Sequence, residues 1–305
     1  MRLLLIDGHY YVYRSFHAIQ NLTNSAGEPT NAIYGFIKTV RKMLKDVKPE
    51  FAAVFWDEGM PQKRLLLQPS YKQQREAMPD KMIPQLQFIQ SFCRPMGLCS
   101  ISQPDTEADD LMGCYVAAAR QAALDVVLAT NDKDLFQLVD NHVTIYSTSK
   151  ADLKSAKDSH ALLGEPEVTL KWGVPPVQIV EVLALTGDTV DNIPGIEGIG
   201  AKTAVNLIRQ FGTVENLLQQ VRQIQNEKLR QRIQESEKQI RDNRQMVQLE
   251  LDHPLPKKIP ELVITPDYNE YIRGLERYEF NSLIKELKEE AATAGIARQG
   301  ELELG

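Results

Sequence analysis

The sequence predicts an α/β fold with a mainly parallel central sheet flanked by helices, followed by a region built of helices alone. Apolar runs typical of strands buried on both faces occur at Leu3–Ile6, Phe51–Phe55 and Val126–Ala129, with a weaker run at Val143–Tyr146. Helical patterns lie between these runs, at Ala32–Leu44, Met82–Phe92 and Leu111–Ala123. Strands that alternate with helices indicate a parallel sheet covered by those helices.

Strand patterns fade after Pro175, and helical patterns follow at Val177–Thr186, Ala201–Phe211, Val214–Gln225 and Glu227–Leu249. Four prolines then interrupt the chain before a last predicted helix, Asn269–Glu290. We therefore expect a core domain over residues 1–174 and a helical region over 175–290. Residues 291–305 show no periodicity and are expected to form a disordered tail.

Composition excludes several classes of protein. A chain of 305 residues with 43% hydrophobic content can bury a sizeable core. Its three cysteines include no Cys-x-x-Cys pair, which argues against a disulfide framework or a zinc ribbon. The apolar run before Asp7 is too short for a secretory or membrane-spanning segment. We expect a cytoplasmic protein without a membrane role.

Acidic residues follow the predicted strands and begin two later segments. Since ligands gather at the carboxyl ends of parallel strands, these acids are expected on one edge. The nine acids are Asp7, Asp57, Glu107, Asp109, Asp110, Asp132, Asp134, Asp188 and Asp191. Without cations they would repel one another. Oxygen ligands with no His or Cys nearby favour Mg²⁺ or Mn²⁺ over zinc.

Some of these acids have a simpler explanation. Thr106 and Asp109 have the spacing of a helix capping box. Helical periodicity places Glu107 and Asp110 on one face and turns Asp109 away, so it favours the first two as ligands. Asp191 could equally be a turn residue before Asn192.

Two divalent cations roughly 4 Å apart would suit phosphodiester hydrolysis and require no protein nucleophile. The sequence agrees, since it has neither a G-x-S-x-G motif nor a Walker phosphate loop. The net charge of −6 looks unfavourable for binding phosphates. If nine acids hold metals, however, the other 32 acids face 35 Lys and Arg, and the remaining surface is slightly basic.

Two further patterns point to phosphate contacts. Gly195, Gly198 and Gly200 precede a helix that begins near Ala201 and carries Lys202, an arrangement that can contact a duplex backbone. The alternative is a helix-turn-helix that serves packing alone. The polar segment Gly59–Asp80 contains Arg64, Tyr71, Lys72 and Arg75. With helical spacing, Tyr71 and Arg75 would align, so that Tyr71 could stack on a base while Arg75 holds its phosphate. The alternative is that these residues form a solvated, charged helix face. Tyr13 and Arg14 could act similarly, although Tyr13 could also be core.

These segments, in this order, resemble the 5′ nuclease family, specifically the 5′→3′ exonuclease domain of bacterial DNA polymerase I and related flap endonucleases. The resemblance covers residues 1–290, and its most specific blocks are LLLIDGHYYVYRSFHA, SYKQQR, TEADD, TNDKDLFQLV and LTGDTVDNIPGIEGIGAKTA. It implies a PIN-like nuclease core with a helical arch over residues 59–92. It also implies a helix–three-turn–helix over residues 185–211.

The resemblance implies a role for each matching residue. All nine acids become metal ligands, including Asp109, which periodicity disfavours. Asp7, Asp57 and Glu107 would lie nearer one metal; Asp132, Asp134 and Asp188 would lie nearer the other. Lys72 and Arg75 match the catalytic basic pair of the arch, and the turn Gly195–Lys202 could also hold K⁺. Lys63, Arg64 and Gln68 stand where a Phe-Arg pair and a further Tyr are expected, a departure that concerns the arch contacts.

The implied function is a structure-specific 5′ nuclease that cuts DNA at 5′ ends and 5′ flaps with two Mg²⁺ ions, for which Mn²⁺ could substitute. Its setting would be replication, including Okazaki-fragment processing, and repair. It would act as a monomer at the nucleoid, with a DNA polymerase as a further partner. One alternative is an RNA-cleaving PIN-type nuclease, which would generally lack the helix–three-turn–helix. Another is a non-catalytic binder of branched DNA, against which the intact acids count.

Overall fold

The computed structural model describes residues 1–155 and 157–303, with side chains described up to residue 295. The strands are β1 (Arg2–Asp7), β2 (Phe51–Phe55), β3 (Cys99–Ile101), β4 (Asp125–Ala129), β5 (Val143–Ser147) and β6 (Ala161–Leu163). The helices are α1 (Gly8–Ala18), α2 (Asn31–Val47), α3 (Gln62–Leu67), α4 (Ile83–Phe92), α5 (Ala108–Gln121), α6 (Glu165–Trp172), α7 (Ile179–Thr186), α8 (Ala201–Phe211), α9 (Val214–Gln219), α10 (Glu227–Glu235), α11 (Glu237–Val247), α12 (Tyr268–Arg277) and α13 (Asn281–Glu303).

The chain divides into two compact units that are each discontinuous in sequence. The first unit comprises Met1–Trp56, Met78–Ile101 and Lys257–Gly305, and the second comprises Asp57–Ala77 and Ser102–Pro256. These divisions fall at other places than the boundary expected at residue 174. Both units contain strands and helices, as the alternating pattern of the first half of the chain predicts.

In the first unit, β2 lies between β1 and β3, and all three strands are parallel. Leu3, Leu4, Leu5 and Ile6 are fully buried, because a parallel strand is covered on both faces. The short strand β3 was not predicted, since only Ile101 of its three residues is buried. The predicted helix Asn269–Glu290 is two helices, α12 and α13, separated near Glu279, which has a left-handed φ of 60°.

Helix α13 continues to Glu303, and the disordered tail over residues 291–305 stays a prediction. Leu304 and Gly305 lie outside the described residues. The sequence of residues 291–305 has no apolar stripe, so periodicity does not predict a helix there. Its alanines and glutamates are nevertheless strong helix formers.

In the second unit, β4 and β5 are parallel, and β6 pairs with β5 in the antiparallel direction. Helices α7 to α11 form the helical region. The predicted helix Glu227–Leu249 is divided at Ser236 into α10 and α11. The predicted helix Val214–Gln225 ends as α9 at Gln219 and is followed by a short 3₁₀ turn.

One stretch, Glu165–Thr186, is long and apolar enough to cross a membrane by length and composition alone. It consists of α6 and α7 with an interruption at Gly173, which adopts a left-handed φ of 76°. More than half of its apolar window, 56%, is buried within the protein. Helices of a protein core pass the same test, so the stretch carries no membrane assignment.

Candidate metal centre and nucleic-acid interface

Eight of the nine acids predicted to bind metal lie in the second unit, and three of them gather at the start of α5. Glu107 is the N-cap residue of that helix, and Asp110 lies in its first turn. Both are almost fully buried, whereas Asp109 is half-buried, as the periodicity indicated. The carboxylate of Asp57 accepts a hydrogen bond of 2.8 Å from the Ala108 N–H. That contact brings Asp57 to the same helix N-terminus.

The capping box expected from Thr106 and Asp109 is not formed. The helix begins one residue later than that pattern requires, with Glu107 as the N-cap. The hydroxyl of Thr106 instead donates to the Pro104 carbonyl at 3.1 Å. Glu107 caps no N–H of its own helix, so its carboxylate remains available to other groups.

A second group of acids lies in the loops after β4 and α7. Carboxylate oxygens of Asp134, Asp188 and Asp191 all lie within 4.8 Å of one another. One oxygen of Asp134 is buried and has no hydrogen-bond partner among the described residues. Asp132 lies beside them, and its carboxylate accepts from the Asp134 N–H at 2.9 Å. Because buried polar atoms are normally paired, the unpaired oxygen fits the role of a cation ligand.

Electrostatics agree with that conclusion. Burial raises the pKa of Asp134 well above its ordinary value, and the charges of Asp132, Asp188 and Asp191 raise it further. Burial also raises the pKa of Asp132. Closely spaced carboxylates are tolerable when a cation neutralises them, and an all-oxygen donor set suits a hard divalent cation. The described residues therefore fit a divalent metal centre.

This arrangement predicts an unusual pH dependence for the stability of the metal-free protein. The folded-state pKa of Asp134 lies above the ordinary 3.8, so the folded protein retains a proton that the unfolded chain releases. The contribution to stability is therefore lost as pH rises from about 4 through the raised folded pKa. We expect Asp134→Asn to raise the melting temperature in EDTA at pH 8 by about 2 °C.

Differential scanning calorimetry from pH 5 to 8 would measure this effect. The advantage of Asp134→Asn over wild type should grow with pH in EDTA and reverse in Mg²⁺. Asp80→Asn, at an exposed position, is the control and should follow wild type throughout. A pH-independent difference between Asp134→Asn and wild type would contradict the raised pKa of Asp134.

Basic side chains already neutralise part of the acid cluster. Arg64 of α3 is 5% exposed, and its guanidinium donates two hydrogen bonds to Asp110, of 2.7 and 2.9 Å. It also contacts Glu107 and donates to the Met246 carbonyl at 3.0 Å. Such a bidentate ion pair fixes Arg64 firmly in the protein. Its predicted contact with DNA stays a prediction.

The spacing of Tyr71 and Arg75 predicts a helix, but the segment that follows α3 is not helical. Residues 69–74 form turns, and Lys72 has a left-handed φ of 55°. The turns still bring the predicted side chains together. The Tyr71 hydroxyl donates to Glu107 at 3.1 Å, Lys72 contacts Glu107, and Arg75 donates to Asp191 at 2.7 Å. The Tyr71 ring is buried, so its stacking on a base stays a prediction.

Three predicted site residues lie in the first unit. Asp7 ends β1 and caps α1, where its carboxylate accepts from the Tyr10 N–H at 3.0 Å. Tyr13 is half-buried and stacks on His17, with ring centroids 6.4 Å apart. Arg14 is exposed. The roles predicted for these residues in metal and DNA binding stay predictions.

The predicted helix–three-turn–helix corresponds to α7, the loop over residues 187–200, and α8. The glycines of this loop have different structural surroundings. A Cβ on Gly195 would lie 2.2 Å from the Thr186 carbonyl oxygen, so Gly195 serves close packing of the loop. Gly198 has a φ of 78°, and both Gly198 and Gly200 face open space. Lys202 is exposed in the first turn of α8, next to N–H groups that have no partner within the helix.

Sequence reasoning missed two residues of this site. The Lys133 ammonium lies 2.6 Å from an Asp188 oxygen. A lysine between two predicted ligands, Asp132 and Asp134, could have suggested that position. Asn192, considered only as part of a turn, contacts the segment around Lys72. No local sequence signal distinguishes that role from an ordinary turn asparagine.

Two family models together match residues 2–270 of the chain. The family model of the 5′-3′ exonuclease N-terminal resolvase-like domain matches residues 2–173, and that of the 5′-3′ exonuclease C-terminal SAM fold matches residues 174–270. The chain is 36% identical to DNA polymerase I of Rhizobium leguminosarum over 94% of its own length and 28% of the polymerase. It is 34% identical to the 5′-3′ exonuclease of Aquifex aeolicus, over 93% of this chain and 94% of that protein.

Solved structures share the fold. T5 5′-exonuclease with bound zinc ions has a TM-score of 0.68 at 24% identity, over 82% of this chain and 90% of that one. The bacteriophage T5 flap endonuclease in a pseudo-enzyme-product complex with DNA and metal ions has a TM-score of 0.66 at 22% identity, over 95% of this chain and 98% of that one. The catalytic core of Rad2 with DNA substrate has a TM-score of 0.59 at 15% identity, over 90% of this chain and 87% of that one. The predicted α/β fold with a helical C-terminal region is confirmed.

Proposed function

This chain belongs to the 5′-3′ exonuclease family, and we propose that it hydrolyses DNA phosphodiesters at 5′ ends and 5′ flaps in replication and repair. One observation carries the proposal. The buried carboxylates of Asp188 and Asp191 converge with Asp134, which has a buried oxygen without a hydrogen-bond partner, and the cationic groups of Lys72 and Arg75 lie beside Asp191. Hydrolysis of the DNA backbone requires carboxylates that bind divalent cations, and cationic side chains beside them can hold the phosphate.

We propose Mg²⁺ as the metal, with Mn²⁺ able to substitute. Its candidate ligands in the second unit are Asp57, Glu107, Asp109, Asp110, Asp132, Asp134, Asp188 and Asp191, and Asp7 is a candidate from the sequence alone. When bound, two divalent cations supply an activated water and neutralise charge on the phosphate. The oxygen-only donor set supports magnesium over zinc, which favours His and Cys ligands.

The basic residues would then exchange partners. Lys72 and Arg75 now balance the charges of Glu107 and Asp191. Once divalent metal ions neutralise those acids, the side chains of Lys72 and Arg75 can hold the oxygens of the scissile phosphate. Arg75 offers a planar fork of donors and Lys72 a compact charge. Positioning and charge neutralisation are the main contributions that a protein makes to such a transfer.

The turn Gly198–Lys202 is the proposed contact with the duplex backbone, and its carbonyls are a candidate site for K⁺. Exposed N–H groups at the start of α8 and the charge of Lys202 suit a phosphate. We expect Lys202→Ala to weaken binding of DNA of any sequence and to lower the salt slope of binding by about 0.9. The rate of cleavage at saturating DNA should not change.

Fluorescence anisotropy of labelled flap DNA in Ca²⁺, at several salt concentrations, would measure this slope. The exposed lysine of the first unit, Lys81, provides the control variant Lys81→Ala. An unchanged slope in Lys202→Ala would exclude this lysine from the DNA interface.

A DNA polymerase is the proposed functional partner, because the chain spans only 28% to 33% of its DNA polymerase I relatives. The polymerase could be part of the same polypeptide or a separate protein. We further propose that the nuclease acts as a monomer in the cytoplasm, where it would meet DNA at the nucleoid.

Single-turnover cleavage of a labelled 5′-flap DNA, with and without Mg²⁺ and beside a matched RNA hairpin, tests the function. The expected result is a Mg²⁺-dependent cut near the flap junction with the RNA left intact. Preferential cutting of the RNA would favour a PIN-type ribonuclease instead. Binding without cleavage in either Mg²⁺ or Mn²⁺ would favour a non-catalytic binder of branched DNA.

A further inference from the structure

Asn192 connects the loop that carries Asp188 and Asp191 to the segment that carries Lys72 and Arg75. Its side-chain amide donates to the Ser70 carbonyl at 2.6 Å and accepts from the Gln74 amide at 2.7 Å. Its own carbonyl accepts from the Gln68 side chain. Beside it, the Lys72 N–H donates to the Asp191 carbonyl at 3.0 Å. These contacts join the basic segment, Gln68–Arg75, to the ligand turn, Asp188–Ile193.

The basic segment has no regular secondary structure to hold it in place. It consists mainly of turns, and Lys72 within it adopts a left-handed conformation. A segment of this kind keeps one conformation only where other contacts restrain it, because fixing each residue costs conformational entropy. The charged contacts of Lys72 and Arg75 cannot provide that restraint during the reaction, since divalent cations compete for the same carboxylates.

The contacts of Asn192 differ because they involve neutral amide and carbonyl groups. None of them uses a carboxylate oxygen, so a cation at the acids leaves them intact. We propose that Asn192 is a positioning residue that holds Lys72 and Arg75 beside the metal centre when metal and DNA displace their ion pairs. This proposal rests on the proposed function, and Asn192 itself contacts neither metal nor phosphate.

Asparagine suits this position for two reasons. The backbone at Asn192 has a φ of 60°, a left-handed value that asparagine adopts more easily than most residues. Its side chain also supplies one donor group and one acceptor, as Ser70 and Gln74 require. Glycine would keep the backbone conformation while removing both side-chain contacts. Asn192→Gly therefore separates the tethering role from backbone strain.

We expect Asn192→Gly to lower the single-turnover rate on saturating flap DNA in Mg²⁺ by about 10- to 100-fold. Its dissociation constant for the same DNA in Ca²⁺ should stay within about twofold of wild type, because the turn Gly198–Lys202 is unchanged. Asn21→Gly is the matched control, since Asn21 is an exposed asparagine with a similar φ of 58° in the first unit. It should behave as wild type.

A second comparison tests whether Asn192 acts through Lys72 and Arg75. In a Lys72→Ala Arg75→Ala background, Asn192→Gly should lower the rate by less than about twofold, because coupled residues are not additive. A full additional loss would overturn the proposal, as would a wild-type rate for Asn192→Gly alone.

Limited trypsin digestion without DNA or metal gives a readout independent of nuclease activity. Because the contacts of Asn192 restrain the segment, cleavage after Lys72 and Arg75 should be roughly fivefold or more faster in Asn192→Gly than in wild type. Unchanged protection would overturn the proposal. If the wild type cut no DNA but Asn192→Gly lost protection, the restraint would stand and the proposed function would fail.

Discussion

Asp188→Asn is expected to lower the single-turnover rate on flap DNA in Mg²⁺ by about 10³-fold or more, while DNA binding in Ca²⁺ stays near wild type. Asp188 is 4% exposed, and its carboxylate lies within 4.8 Å of carboxylate oxygens of Asp134 and Asp191. The amide of asparagine keeps the volume and can still accept from the Val190 N–H, which now donates to Asp188 at 2.8 Å. It lacks the charge and the second oxygen, so metal affinity should fall with the rate.

Rapid-quench kinetics and a calorimetric Mg²⁺ titration would test both parts of this expectation. Asp152→Asn is the matched control, because Asp152 is a buried, ion-paired aspartate of the second unit that pairs with Lys171 at 2.7 Å. That variant should retain the wild-type rate and metal affinity once its melting temperature is taken into account. Near-wild-type cleavage by Asp188→Asn would remove Asp188 from the set of ligands.

The parts of the fold that local chemistry determines could be predicted from the sequence. The run Leu3–Ile6 indicated a strand because a strand buried on both faces needs continuous apolar residues. The acids after the strands indicated a metal centre because the carboxyl ends of parallel strands attract ligands. Of the acids at the start of α5, helical periodicity placed Glu107 and Asp110 on one face, and these two are the more deeply buried.

The conformation of the basic segment could not be predicted in the same way. Its residues tolerate a helix, and spacing alone suggested one. The left-handed turn at Lys72 depends on contacts with Asp191 and Asn192, which are distant in sequence. The burial of Arg64 likewise depends on its pairing with Asp110, 46 residues away. Such arrangements follow from tertiary contacts, which local patterns do not encode.

Lys72→Ala is expected to slow the single-turnover rate by about 10²- to 10³-fold for a different reason. Burial alone would lower the pKa of Lys72, but the charges of Glu107 and Asp191 outweigh it and leave the pKa raised. Lys72 is therefore a permanent cation at physiological pH. Its removal takes away a charge for the phosphate without removing any metal ligand.

Metal affinity distinguishes the two variants. Since the Lys72 ammonium competes with a cation for Glu107, Lys72→Ala should bind Mg²⁺ at least as tightly as wild type, in contrast to Asp188→Asn. Lys63→Ala is the control, because Lys63 is exposed and pairs only with Glu250 among the described residues; it should stay within about twofold of the wild-type rate. An unchanged rate in Lys72→Ala would mean that this ammonium balances the acids and takes no part in holding the phosphate.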